Sequence, residues 1–314
     1  MTNPTALSTR VVTQARAYSL LIVLSIIWGL AFDAISEADK LLSPINLTLL
    51  RWFIAAAGYL VILPFLGKAK IKFEWKDLPR LLVIAFANVP LYHLSLNYGE
   101  TSVSAGVAGL LVALGPVFIV LLSRVSLKEE IERKLAIALV IATLGAILLS
   151  VSDLGGPSGS MIGIAEVIVT AFAYALFAVL SKPLVAKYGS LPVAIRAGTI
   201  GTAMLLPLVS ESFISQVSKL SPTGWLSVLY LSILSTVVGY SMFYILLNRG
   251  TVSRLSIQLY LIPIISVIGG ALLLGQRITI FTVAGGAILL LAVSLATRSQ
   301  AKNRNVSEAP KPSV

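Results

Sequence analysis

Cysteine is absent from the 314 residues, histidine occurs once, and charged residues make up only 12% of the chain. Without cysteine there is no disulfide framework and no thiol nucleophile. A single histidine leaves too few ligands for the usual zinc sites. A soluble domain carries roughly a quarter charged residues. Here 57% of the residues are hydrophobic and the mean hydropathy is +0.94. One soluble core cannot hide that much apolar surface, so the composition requires the bilayer as solvent. The sequence also lacks a G-x-x-x-x-G-K-[ST] phosphate loop, so no built-in ATPase is expected.

What is present is a series of apolar runs, each near the roughly 20 residues that cross a bilayer. Ten are expected, at 17–35, 44–66, 79–98, 103–123, 134–151, 161–180, 192–210, 223–247, 254–274 and 279–297. The net charge of +11 could suggest nucleic acid in a soluble protein. Here the basic residues fall in short breaks between runs, as cytoplasmic loops require. With the N-terminus inside, the inner segments hold Arg10 and Arg16, Lys68 to Arg80, Arg124 to Lys134, Lys182 and Lys187, Arg249 and Arg254, and the tail from Arg298. The outer loops hold Lys40, Lys219 and Arg277. This asymmetry predicts an even number of spans, both termini cytoplasmic, and a multi-pass protein of the plasma membrane. The first run is too long for a cleaved signal and is read as a retained span. The expected organisation is a cytoplasmic segment 1–16, a first five-helix repeat 17–151, a second 161–297, and a disordered cytoplasmic tail 298–314.

The two halves echo each other. GAILL occurs at Gly145–Leu149 and again at Gly286–Leu290, in the last run of each half. Pro116 in the fourth run matches Pro263 in the ninth, and Arg51 in the second matches Arg196 in the seventh. The order and near-constant offset argue against chance. An odd number of spans per half means the second half enters from the opposite side. The fold class expected is therefore an all-α membrane protein, ten transmembrane helices as two inverted five-helix repeats around a central cavity. Such symmetry suits alternating access.

These features resemble the drug/metabolite transporter superfamily, in particular its ten-helix EamA-type members. The resemblance rests on WGLAF (Trp28–Phe32), LLRWF around Arg51, and LNYGETSVSAGVAGLLVALGPVFIVLLSRVSLKEE with its second copy NRGTVSRLSIQLYLIPIISVIGGALLLGQ. It implies a ten-helix basket that moves amino acids or similar metabolites without ATP. One position departs from the pattern. Glu129 fits the acid that usually ends the fourth span, but its second-half equivalent is Gln276.

Polar groups inside spans are costly and usually face a cavity or a partner. The substrate-cavity candidates are Trp28, Asp33, Arg51, Asn88, Tyr92, His93, Asn97, Glu166, Tyr240, Tyr244 and Gln258. Asp33, Arg51, His93 and Glu166 all fall in the outer half and fit a polar vestibule. A structural Asp33–Arg51 pair fits equally, and Asp33 at the headgroups is a third reading. Tyr240 and Tyr244 share a face, which suits packing as well as ligand contact. Trp28 is too central for an interfacial belt, and either lines the cavity or packs between helices. Glu166 and His93 are the candidates for proton coupling, and Pro116 and Pro263 the candidate hinges. No cofactor or metal is expected. The partners are a small-molecule substrate, the lipid bilayer and protons if transport is coupled. The alternatives to a secondary transporter or facilitator are a membrane-embedded enzyme and a receptor or scaffold. The first lacks a catalytic set, and neither accounts for inverted repeats.

Overall fold

A computed structural model describes residues 4–66, 73–115, 160–248 and 252–307, with a few positions between 117 and 148. Among these residues there are helices and no strand. The first half comprises α1 (Pro4–Ala38), α2 (Pro44–Ile62), α3 (Leu78–Phe86), α4 (Tyr92–Glu100) and α5 (Ala105–Val112). The second comprises α6 (Met161–Tyr188), α7 (Ser190–Leu205), α8 (Glu211–Ser218), α9 (Pro222–Leu229), α10 (Gly239–Asn248), α11 (Val252–Leu274) and α12 (Ile280–Ser307). Among the described residues six stretches are long and apolar enough to cross a membrane: Ser19–Ala38, Pro44–Ile62, Trp75–Glu100, Met161–Tyr188, Ser190–Leu208 and Pro222–Asn248. Shorter apolar helices at Ala105–Ile119, Leu261–Leu274 and Ile280–Ala292 stand where the fourth, ninth and tenth spans were expected. Most of 134–151, together with Pro116 and Glu129, lies outside the described residues.

Four helices start on a serine that accepts from the first turn: Ser43 from Asn46, Ser104 from Val107, Ser160 from Ile162 and Gly163, and Ser221 from Gly224. Each cap satisfies amides that would otherwise be orphaned. Pro44 and Pro222 follow two of them, where a missing N–H costs nothing.

Two features differ from the sequence expectation. α12 runs on through Ser307, into the segment expected to be an unstructured tail. α8 was not foreseen, being too short and too polar to read as a span. Its Gln216 Oε1 accepts from the Ser43 amide at 2.8 Å and from Asn46 Nδ2 at 2.9 Å, which docks it on the start of α2.

The third span of each half widens midway into a π-helical segment, Ala87–Leu91 around Pro90 and Tyr230–Val238. Such segments insert an extra residue per turn and recur at functional sites. α2 packs on the second-half segment, and α7 packs on the first-half one. That exchange is what inverted repeats produce. The two GAILL copies also meet. A side chain at Gly145 would bring its first carbon to 3.0 Å from the Leu289 amide nitrogen and 3.1 Å from the Gly285 carbonyl oxygen. A side chain there would crowd this backbone approach.

On the expected cytoplasmic side, Lys187 at the end of α6 bonds Glu74 Oε1 at 2.6 Å and Asp77 Oδ2 at 2.7 Å. The Tyr188 hydroxyl donates to Asp77 Oδ2 at 2.6 Å and accepts from the Glu74 amide at 3.2 Å. The Lys187 and Lys76 ammonium groups hold the exposed Glu74 carboxyl below its ordinary range. This cluster joins the two halves at one end of the bundle. It should face the cytoplasm, and Asp39 the exterior. Because cysteine is absent, single-cysteine variants report position cleanly. An impermeant thiol reagent applied to intact cells should label residue 40 and spare residue 76. The reverse pattern would invert the topology.

Candidate functional site

α1, α2 and α4 of the first half and α6, α11 and the Tyr230–Val238 segment of the second converge on a cavity. It is lined by Trp28, Arg51, Tyr92, Tyr174, Ser235 and Tyr240, with an apolar wall from Ala31, Phe32, Ile35, Leu96, Val112 and Ile262. The free volume enclosed by these side chains is about 40 Å³.

Arg51 is the charged group of this wall and is only 3% exposed. Its Nε donates to Thr236 Oγ1 at 2.9 Å and one terminal nitrogen to Ser235 Oγ at 3.1 Å. Both acceptors sit on the widened segment, where Thr236 in turn donates to the Leu231 carbonyl. Among the described residues no carboxylate pairs with this guanidinium. Asp33, the partner considered from sequence, does not reach it. Asp33 is buried at 4% exposure with both oxygens unpartnered, packed against α11 at Gly269, where a β-carbon would collide with Oδ2. It is therefore not paired with Arg51. A buried cation bonded only to hydroxyls is left largely uncompensated.

The aromatic wall is held by its own contacts. Trp28 donates its indole N–H to the Ser235 carbonyl at 3.0 Å, and its ring lies 5.4 Å from Tyr240. His93 is sealed behind the cavity. Its Nε2 meets the Tyr240 hydroxyl at 3.2 Å and its ring abuts Trp52 at 5.2 Å and Tyr92 at 4.9 Å.

Of the sequence candidates, Trp28, Arg51, Tyr92 and Tyr240 come together on this cavity. Asn97 donates to Thr48 Oγ1 at 2.9 Å and ties α4 to α2. Asn88 is buried in the first widened segment. Tyr244 lies deeper in the core, its hydroxyl 3.5 Å from Ser181 Oγ. Glu166 opens instead on a separate groove with Ser95, Tyr98 and Met161. Pro263 is within the continuous helix α11. The side chain of Gln258 is outside the described residues, as is Pro116. Sequence reasoning missed Tyr174, Ser235 and Glu100. Glu100 is buried at the end of α4 with both carboxylate oxygens unpartnered. Glu100 follows Tyr92 and Leu96 at four-residue spacing on one face of α4, and that spacing was the available signal.

Asp39 lies one turn beyond Ile35, and burial pushes its carboxyl up to about 8. A carboxyl that keeps its proton when folded favours the folded state below its unfolded pKa of 3.8. That contribution is lost as pH rises toward about 8. Asp39→Asn should flatten the fall in thermal stability of the detergent-solubilised protein between pH 5 and roughly 8. An unchanged slope would place the titration elsewhere.

The model of the EamA-like transporter family matches residues 15–151 and again 161–298, once in each half. The chain belongs to the EamA-like transporter family. An uncharacterized transporter of Archaeoglobus fulgidus is 35% identical over 274 residues, 87% of this EamA-like transporter and 95% of that protein. A probable terminal-alkyne amino-acid exporter of Streptantibioticus cattleyicolor is 27% identical over 296 residues, 94% and 98% of the two chains. A solved crystal structure with 17% identical residues superposes with a TM-score of 0.63, covering 92% of this transporter and 98% of that chain. That likeness speaks to the fold alone. The chain is a multi-pass membrane transporter.

Proposed function

We propose that this EamA-like transporter exports amino acids or closely related small metabolites across the plasma membrane by alternating access. The observation that carries the reading is Arg51, a buried guanidinium on the cavity wall bonded to two hydroxyls and to no acid among the described residues. A substrate carboxylate would supply the missing counter-charge with charge-assisted hydrogen bonds. Trp28, Tyr92, Tyr174 and Tyr240, with the apolar wall, suit an apolar side chain. The S. cattleyicolor relative, named a probable amino-acid exporter, supports the same class. Neither Glu166 nor His93 lines the cavity, which favours a facilitator driven by the substrate gradient over proton coupling through either group. The reading assigns the protein no catalysis.

Cells with and without the chain, preloaded with radiolabelled L-leucine or L-phenylalanine, would test the reading. Efflux should be several-fold faster with the chain, and collapsing the pH gradient should leave that difference intact. Equal efflux from both cells for both amino acids would reject the substrate class. A difference that disappears with the gradient would restore proton coupling.

A further inference from the structure

Glu100 stands one helical turn beyond the cavity residue Leu96, buried at the end of α4. Tyr92 and Leu96 both line the cavity, and Glu100 follows them at the same four-residue spacing on α4, about 6 Å further toward the outer surface. Its carboxylate is 7% exposed, and neither oxygen has a hydrogen-bond partner. Arg51 lies within its electrostatic reach, yet no ion pair or hydrogen bond joins the two among the described residues. Ile35, another cavity residue, is followed one turn later by Asp39, whose two oxygens are likewise buried and unpartnered. The other groups near this pair are Asp33, facing Glu100, and Tyr92, Tyr230 and Tyr240, facing Arg51. Unlike charges buried together normally close into contact, because each is then compensated. Here Arg51 is bonded instead to Ser235 and Thr236, and Glu100 to no partner.

We infer that Glu100 is the ammonium-recognition group of the cavity, so that the transporter selects zwitterions, carboxylate on Arg51 and ammonium on Glu100, over simple carboxylates. An ammonium has three donors, and the unpartnered oxygens of Glu100 are acceptors for them. A carboxylate substrate without the amine leaves Glu100 buried and unpaired, and a site with an unsatisfied buried polar group discriminates strongly. The apolar and aromatic wall then takes the side chain. The inference rests on the amino-acid reading above and adds to it the residue that tells an amino acid from its deaminated analogue.

The test uses the full-length protein in proteoliposomes loaded with L-leucine, with external L-leucine or 4-methylpentanoate competing for counterflow. For the unmodified protein, leucine should compete about tenfold or more better than 4-methylpentanoate. Glu100→Gln should bring the ratio near one by weakening leucine while leaving 4-methylpentanoate unchanged. Glu100→Asp, which keeps the charge, should retain most of the preference. In a variant that keeps Trp28 as its sole tryptophan, the change in fluorescence on adding each compound should give the same ratio without transport. If the unmodified protein takes both compounds equally, or if Glu100→Gln leaves the ratio intact, the inference falls and the transport reading stands. If neither compound exchanges or binds, the amino-acid reading falls and the inference with it.

Discussion

Arg51→Leu is expected to abolish exchange of carboxylate substrates and to leave the thermal unfolding temperature of the empty protein unchanged or higher. The guanidinium is buried, and its partners are the Ser235 and Thr236 hydroxyls. Replacing a buried, poorly compensated charge by an apolar group of similar length is often neutral or stabilising. Losing one partner of a buried charge pair with substrate costs about 2–5 kcal/mol, which is roughly 30-fold or more in affinity. Arg51→Lys should retain part of the activity, because the point charge remains while the planar fork is lost. The two readouts separate function from structure. If Arg51 served only to fasten α2 to the widened segment, Arg51→Leu would lower the unfolding temperature, and substrate affinity in the surviving fraction would be normal. Size-exclusion profile, melting curve and counterflow on one preparation decide between these.

Gly145→Leu is expected to remove most of the folded protein. The β-carbon alone would stand 3.0 Å from the Leu289 amide nitrogen and 3.1 Å from the Gly285 carbonyl oxygen. Both neighbours are backbone, so neither can rotate away. Overpacking by a few methylenes costs about 1–3 kcal/mol even where side chains adjust. Here the two helices must separate. Monodisperse yield in detergent should fall several-fold for leucine and less for alanine. Wild-type yield of Gly145→Leu would mean that the two GAILL segments do not touch.

The span pattern was legible because a bilayer imposes length and polarity on every crossing helix. Loop charges and the paired GAILL, arginine and proline positions revealed the inverted halves. The structure then distinguishes positions that the repeat equates. Arg51 is sealed against the cavity, whereas Arg196 is partly exposed and stacks over Phe73 and Tyr188 at 5.3 and 5.8 Å. No periodicity separates them, because the difference lies in what each helix meets. Trp28, Tyr92 and Tyr240 were found because polar-edged aromatics are conspicuous in midspan. Tyr174 was not, since the sixth span holds it in an otherwise apolar run. Glu100 was overlooked for a different reason. It is followed by Thr101 and Ser102, and so reads as the start of a loop. Its burial comes from the helices packed on α4, α6 foremost, which sequence spacing does not bring together. Glu166 was overvalued because depth alone placed it, and depth does not say which way a helix face turns.

The central claim is that this chain carries small carboxylate-bearing metabolites through the cavity at Arg51. Counterflow in liposomes of purified protein tests it most directly, since no other cellular component is present. Liposomes loaded with unlabelled L-leucine or L-phenylalanine should transiently accumulate the labelled amino acid from outside, and Arg51→Leu liposomes should not. Accumulation that is equal in the two preparations would remove Arg51 from the substrate path. None above protein-free liposomes, for either amino acid, would contradict the account itself.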